Sequence, residues 1–355
     1  MKIAIITSSY PQGTVFRGGL EKLCTEIAVG MAARGHKITV LTTSQGPSAK
    51  TSCAGGITVI RFRWIESFFS RLSLNLGLSL HRHKSEFDVI LNMEYWNGFL
   101  SLEAAVLCSP KITVLFPLFH AMRGQDRART LLHRGYRIIG ALILERSVGI
   151  VCLSRYEAES LLSVFPGQRH KVTIIRPGVQ AAPRAAKPRF AFKILVISSL
   201  VPFKGVLSVI KALTLLPNHF LDVVGDGPQR VELEKLATDM GIRPRIKFHG
   251  YVSDAEKNEL LGSASVLVHL SSVESYSLVV GEALASGLPC VVRNANALRE
   301  WIDSRSCIGV EDPENSQSLA LSIVRAESLV VAKRIPTTEE YAAILERYLD
   351  RIVRQ

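Results

Sequence analysis

The sequence of 355 residues predicts an α/β protein built from two doubly wound parallel-sheet domains. Three observations carry this reading. Short apolar runs alternate with segments of helical period along the whole chain, as in a parallel sheet covered on both faces. The alternation breaks at Val179–Arg189, where prolines and small residues interrupt any apolar period, and restarts with Phe192-Lys-Ile-Leu-Val-Ile-Ser198. Charge divides at the same place. Residues 1–180 hold 22 Lys and Arg against 11 Asp and Glu, and the remainder holds 21 against 20. A basic half beside a neutral half predicts domains that meet different partners.

In chain order, the first half reads as strands at Lys2–Thr7, Lys37–Thr42, Ile57–Arg63, Phe87–Asn92, Lys111–Phe116, Gly149–Leu153 and Val172–Arg176. The second half reads as strands at Lys193–Ser198, Phe220–Val224, Arg245–Phe248, Ser265–Leu270, Leu288–Val292 and Cys307–Val310. Helical patterns fill most of the gaps. The final segment, Thr338–Arg354, is an amphipathic helix carrying Tyr341, Ile344, Leu345, Tyr348 and Leu349. No apolar run approaches the roughly 20 residues that span a bilayer, and the N-terminus reads as a first strand rather than a signal peptide. The six cysteines show no paired spacing, which predicts buried free thiols in a reducing compartment.

Two stretches carry the basic excess. Arg61–Lys84 has Trp64, Ile65, Phe68, Phe69, Leu72 and Leu76 at helical spacing with Arg71, Arg82 and Lys84 among them. Lys111–Arg137 adds Arg123, Arg127, Arg129, Arg134 and Arg137. Basic amphipathic segments suit an anionic membrane surface, and they equally suit a core-facing helix with solvated charge. Aromatic-basic interleaving of the kind that binds nucleic acid is missing from the second half.

The densest local signal is Glu274-Ser-Tyr-Ser-Leu-Val-Val-Gly-Glu282. It follows the apolar run Ser265–Leu270 and opens a helix that Gly287 and Pro289 stop, with Ser275 or Ser277 the expected N-cap. Glu274 then precedes the helix and Glu282 lies inside it, about 10 Å apart along the axis. Between them stand free amides and the positive dipole end, which suit a phosphate. Two carboxylates flanking such a site fit a diphosphate with hydroxyls at both ends. They also fit plain complementation of the helix dipole. Other strand ends carry Gly18-Gly19, Glu94-Tyr95-Trp96-Asn97, His120, Lys204 and Gly225-Asp-Gly-Pro228. Ligands of doubly wound sheets bind at such ends. The chain contains no Asp-x-Asp pair to hold a metal on a diphosphate, no Gly-x-Ser-x-Gly elbow and no P-loop.

Together these motifs resemble the retaining glycosyltransferases of family 4, which have the GT-B fold of two Rossmann-like domains facing a central cleft. The resemblance runs from Gly18-Gly19-Leu-Glu21 through Pro177-Gly178-Val179, Pro202-Phe-Lys204-Gly205 and Gly225-Asp-Gly-Pro228. It continues through Phe248-His-Gly250-Tyr-Val-Ser-Asp254 and Glu274…Glu282-Ala-Leu-Ala-Ser-Gly-Leu-Pro289 to Glu300. It implies an acceptor domain over 1–180, joined by the C-terminal helix 338–355, and a donor domain over 181–337. Glu274 would hold sugar hydroxyls, Glu282 the ribose, and Lys204 the leaving diphosphate. Gly18, Gly19, Gly225, Ser275, Tyr276, Ser277, Leu278 and Val279 would complete the donor site, and His120 would lie beside the transferred sugar. The family retains the anomeric configuration and works without a bound metal or other cofactor.

The implied function is transfer from a nucleotide-sugar to a lipid-linked or growing glycan acceptor. The implied location is the cytoplasmic side, peripheral on the inner face of the cell membrane. An epimerase or phosphorylase of the same fold, or a weakly catalytic partner subunit that binds a nucleotide-sugar, are the alternatives. The sequence departs from the pattern at Ser199, where an arginine usually lies five residues before the lysine, and at Asn296-Ala297, where Gly-Gly is frequent. Ser275 and Ser277 also replace frequent glycines. One lost charge-assisted contact at the diphosphate costs about 1.5–3 kcal/mol unless another group substitutes, and Arg293 is the candidate.

Overall fold

The computed structural model describes residues 1–11, 18–44, 49–52, 54–63, 65–66, 71–95, 112–119, 137–183 and 192–354. The chain divides into two compact units. One is formed by Met1–Tyr10, Leu20–Pro177 and Thr338–Gln355, and the other by Pro11–Gly19 and Gly178–Thr337.

The first unit is organised on β1 (Lys2–Thr7), β2 (Lys37–Ser44), β3 (Ala49–Ser52), β4 (Ile57–Arg63), β7 (Val89–Met93), β8 (Thr113–Phe116), β9 (Gly149–Cys152) and β10 (Val172–Ile174). Their order is β10-β9-β8-β7-β1-β2-β4-β3, parallel throughout except for the outer β3, which runs antiparallel to β4. Ile3, Ala4, Ile5 and Ile6 are all fully buried. Four consecutive buried residues require cover on both faces of the strand, which the flanking helices supply. β3, with sequence Ala-Lys-Thr-Ser, has no apolar alternation and left no signal to predict it.

The second unit holds β11 (Lys193–Ile197), β12 (Phe220–Val224), β13 (Ile246–Gly250), β14 (Val266–His269), β15 (Cys290–Arg293) and β16 (Cys307–Val310). All run parallel in the order β13-β12-β11-β14-β15-β16. The order reverses beside β11, so the C-terminal ends of β11 and β14 form the switch point where doubly wound sheets bind ligands. Helix Leu278–Ala285 leaves the β14 end. It stops in a Schellman turn, with Gly287 at φ +73°, the Leu288 amide donating to Ala283 O at 2.8 Å and the Gly287 amide to Leu284 O at 3.0 Å.

The basic stretch Arg61–Lys84 is not one helix. The strand β4 runs to Arg63, a ribbon of β5 (Ile65–Glu66) and β6 (Arg71–Leu72) follows, and only Leu74–His83 is helical. In that helix Leu76 and Leu80 are fully buried on the core of the sheet while Arg82 is exposed. Leu76 and Leu80 are thus spent on the core, while Leu78 on the same helix is exposed. The Arg-rich part of Lys111–Arg137 lies outside the described residues, as do Cys53 and Cys108. Cys24, Cys152, Cys290 and Cys307 are buried and free, and burial pushes the Cys24 and Cys307 thiols up to about 12.

The C-terminal helix, Thr338–Arg354, belongs to the first unit. Tyr341, Leu345, Tyr348 and Leu349 are buried, whereas Ile344 turns outward. Gly30 is required beneath it, since a Cβ there would stand 2.9 Å from Ala342 Cβ. Glu346 accepts from Arg34 Nε at 2.8 Å and pairs with His36 Nε2 at 2.7 Å. Leu345→Ala is expected to lower stability by about 2–5 kcal/mol in denaturant unfolding, because it empties a packed position. Ile344→Ala is expected to change it by less than about 0.5 kcal/mol.

Candidate active site

The site is built where strands of the second sheet hand over to helices. Backbone bonds tie these ends together. The Ser198 amide donates to Val224 O at 3.0 Å, the Leu200 amide to Asp226 O at 2.9 Å and the Gly225 amide to Gly250 O at 2.8 Å. Gly225 sits at φ +115°, and a Cβ there would overlap the Ser198 carbonyl. The crossing of two backbones therefore demands this glycine, whatever else it does.

Lys204 ends a single helical turn, Pro202–Lys204, and Gly205 follows in the left-handed region at φ +73°. Gly205 packs on the β14 end, where a Cβ would come within 2.8 Å of Leu270 Cβ. The Ser272 amide donates to Phe203 O at 2.8 Å, so the lysine turn is pinned to the loop that carries Glu274. Lys204 Nζ donates to Glu274 Oε1, and His269 Nε2 lies 3.0 Å from the same oxygen. Both side-chain partners engage one oxygen; Oε2 has no partner among the described residues. Burial opposes the charged form of Glu274, but the His269 hydrogen bond and the Lys204 charge outweigh it and hold the carboxyl down at about 2.

The loop between Glu274 and the helix is fixed from below. Trp301 Nε1 donates to Tyr276 O at 2.7 Å, with the two rings 5.0 Å apart. A Cβ on Gly281 would lie 3.2 Å from both Trp301 and Val179, so small size there lets the helix settle on Trp301. Ser277 occupies the N-cap position, as expected, but caps nothing. Its backbone is left-handed at φ +78°, and no side-chain cap bond forms. Its buried Oγ has no hydrogen-bond partner among the described residues. The reason is geometric: the cap bond to the following amides needs extended backbone at the cap residue. A buried hydroxyl and free amides therefore stand at the start of this helix. Ser275, Leu278 and Val279 beside it are partly buried.

Glu282 is 4% exposed on the inner side of the helix. Its Oε1 accepts from Lys257 Nζ at 2.8 Å, and Lys257 also reaches Asp254 Oδ1 at 3.2 Å. Arg293, at the end of β15, lies 3.7 Å from the exposed Glu314, which accepts from Ser208 Oγ at 2.9 Å.

Gly18 and Gly19 are exposed where helix Gly19–Ala33 begins, and among the described residues nothing stands within 4 Å of a Cβ built on either. Packing among the described residues does not require glycine at these two positions. In the first unit, Glu94 sits at the β7 end with φ +83° and accepts from Ser8 Oγ. Tyr95 is buried, with its ring edge-on to Phe119 at 5.3 Å. The fully buried Glu157 accepts from the Phe119 amide at 2.7 Å and the Leu153 amide at 2.6 Å, joining the β8 and β9 ends. Burial pushes its carboxyl up to about 8 against those bonds. His120, Trp96 and Asn97 lie outside the described residues. Among the described residues, no three His, Cys, Asp or Glu side chains gather as metal ligands, and no helix is long and apolar enough to cross a membrane.

Sequence reasoning missed three residues that shape this site: His269, Lys257 and Trp301. His269 had a faint signal, a polar residue closing an otherwise apolar strand. Lys257 and Trp301 had none.

Two parallel-sheet α/β units of this topology, with carboxylates and a lysine at the switch point of the second, make up the GT-B glycosyltransferase fold. Comparison with known proteins carries this to the family. Residues 17–182 match the model of Glycosyltransferase Family 4 and residues 183–334 that of Glycosyl transferases group 1. The chain belongs to this family of glycosyltransferases. An uncharacterized glycosyltransferase of Methanocaldococcus jannaschii is 25% identical over 92% of this chain and 89% of its own length. Among solved structures, sucrose-phosphate synthase from Thermosynechococcus elongatus superposes with a TM-score of 0.78 at 17% identity, covering 99% of this chain and 98% of that one. The Anabaena protein HepE in complex with UDP-glucose superposes with a TM-score of 0.69 at 18% identity, covering 100% and 98%.

The depressed Glu274 carboxyl has a consequence for stability. It titrates near 2 in the fold and near 4.5 unfolded, so its ionised form stabilises the fold above the unfolded value and loses that contribution as pH falls toward 2. Melting curves of wild type and Glu274→Gln are expected to differ by a constant amount above about pH 5.5 and to converge as pH falls below about 4.5.

Proposed function

We propose that the chain is a retaining, metal-independent glycosyltransferase that moves a hexosyl or related unit from a nucleotide-sugar to a lipid-linked or growing glycan acceptor. The observation that carries this is the meeting of Lys204 and Glu274. The two stand 70 residues apart in sequence, yet the fold brings them into one ion pair at the switch point. A cation for a diphosphate and a carboxylate for sugar hydroxyls are thereby held beside a helix N-terminus.

In this reading the donor diphosphate lies over the amides that begin helix Leu278–Ala285. Lys204 leaves Glu274 for the diphosphate, and Glu274, still held by His269, accepts a sugar hydroxyl through its freed oxygens. The acceptor hydroxyl attacks the anomeric carbon from the leaving group's side as the bond to the diphosphate oxygen breaks. Its proton passes to a phosphate oxygen of the departing nucleoside diphosphate. Negative charge grows on that group, so Lys204 and the helix amides stabilise the transition state more than the ground state. Glu282 takes the ribose, Gly18 and Gly19 let the backbone approach the phosphates, and His120 stands by the transferred sugar.

The bound UDP-glucose of the Anabaena protein supports uridine diphosphate sugars as the first donors to assay. The excess of Lys and Arg in residues 1–180 supports an anionic acceptor and a peripheral site on the inner face of the membrane.

Lys204→Ala and Glu274→Ala are each expected to reduce donor turnover by about 10²–10³-fold. Nucleoside diphosphate release should require an acceptor; unchanged rates in both variants would overturn the assignment. In vesicle sedimentation, binding is expected on anionic lipid and to fall with rising salt. Binding that ignores both would remove the membrane from the proposal.

A further inference from the structure

The pair of Lys257 and Glu282 has no counterpart among the features that the motifs identified. Lys257 comes from helix Asp254–Ser263, which a capping box at Ser253 and Glu256 fixes in place after β13. Its side chain is 13% exposed and that of Glu282 is 6% exposed. Burial works against the Lys257 ammonium, but Glu282 and Asp254 outweigh it and hold its pKa above the ordinary value. A buried ion pair is a weak source of stability, since apolar residues of similar volume commonly do as well. The pair is also unfinished. An ammonium has three N–H donors, and two go to Asp254 and Glu282. The third has no acceptor among the described residues, and neither has Glu282 Oε2 a donor. One spare donor and one spare acceptor are thus joined on a nearly buried ion pair.

We infer that Lys257 is a positioning and specificity-determining residue that turns Glu282 into a reader of a ribose cis-diol. This rests on the reading of Glu282 as the ribose carboxylate and deepens it. A vicinal diol supplies what the pair lacks, a hydroxyl proton for Glu282 Oε2 and a hydroxyl oxygen for the Lys257 ammonium. A 2′-deoxyribose supplies only one of these and leaves a nearly buried polar group unpaired, which is the basis of strong discrimination. The donors selected are therefore ribonucleotide-sugars, and deoxythymidine diphosphate sugars are disfavoured.

Calorimetric titration of the full chain with UDP, 2′-deoxy-UDP and pyrophosphate tests this. Wild type is expected to bind UDP at least about tenfold more tightly than 2′-deoxy-UDP. In Lys257→Met the UDP affinity should fall about tenfold and the preference for the 2′-hydroxyl should collapse, with pyrophosphate affinity retained. Lys257→Arg, which keeps charge and donors, should recover most of the preference. An unchanged preference in Lys257→Met overturns the inference, and so does an equal loss of UDP and pyrophosphate, which marks a purely structural role. Should Lys257→Met fail to fold, the double variant Lys257→Met/Glu282→Leu removes both charges; a 2′-hydroxyl preference surviving there overturns the inference. Failure of wild type to bind UDP, GDP or ADP would instead sink the donor-site reading on which it rests.

Discussion

The candidate site depends on one shared oxygen. Glu274 Oε1 takes both the Lys204 ammonium and the His269 ring, and everything around it serves to hold that convergence. Lys204 reaches it because Gly205 turns left-handed against Leu270 and because Ser272 anchors the Phe203 carbonyl. His269 reaches it because β14 ends there, at the switch point of the sheet. A carboxylate this buried is costly unless charge and hydrogen bonds compensate it, so the knot is satisfied only as a unit. It also neutralises the lysine. In the proposed function, a diphosphate that draws Lys204 away would leave Glu274 with His269 and with two oxygens able to accept hydroxyls.

Glu282 is organised by the same logic at the other end of the helix. Each carboxylate has one oxygen held by nearly buried protein cations or donors and one without a partner among the described residues. The segment between them contributes amides rather than side chains. Ser277 illustrates this, since its left-handed backbone withholds the hydroxyl from capping and leaves the helix start open. Trp301 under Tyr276 and the small Gly281 keep that start from collapsing.

Family membership and the pairing of Lys204 with Glu274 bear differently on the departures noted in the sequence. Ser199 stands where the family pattern has an arginine, and Arg293 lies 3.7 Å from the exposed Glu314. Where Gly-Gly is frequent, Asn296 adopts φ +46° and the Ala297 amide approaches Glu274 O at 3.4 Å. The backbone conformation that glycines would favour is thus adopted by an asparagine, a residue type that tolerates it well.

Much of the fold was legible in the chain itself. Strand positions such as Phe220–Val224 and Cys307–Val310 follow from apolar runs, because burial on both faces leaves room for little else. The break after Val179 and the doublet Glu274 and Glu282 were equally local, being matters of composition and helical spacing. The ribbon after Arg63 was not, because helical periodicity there competes with pairing that only a neighbouring strand supplies. Strand order, and with it the placing of the switch point beside β14, is a tertiary property. So are the grip of His269 and Lys204 on one oxygen and the engagement of Glu282 by Lys257. These contacts join residues up to 70 positions apart, and no local period encodes which side chains of separate helices and strands will meet. The sequence by itself determined that two carboxylates would flank a helix start; only the packed sheet decided which cations and donors hold them.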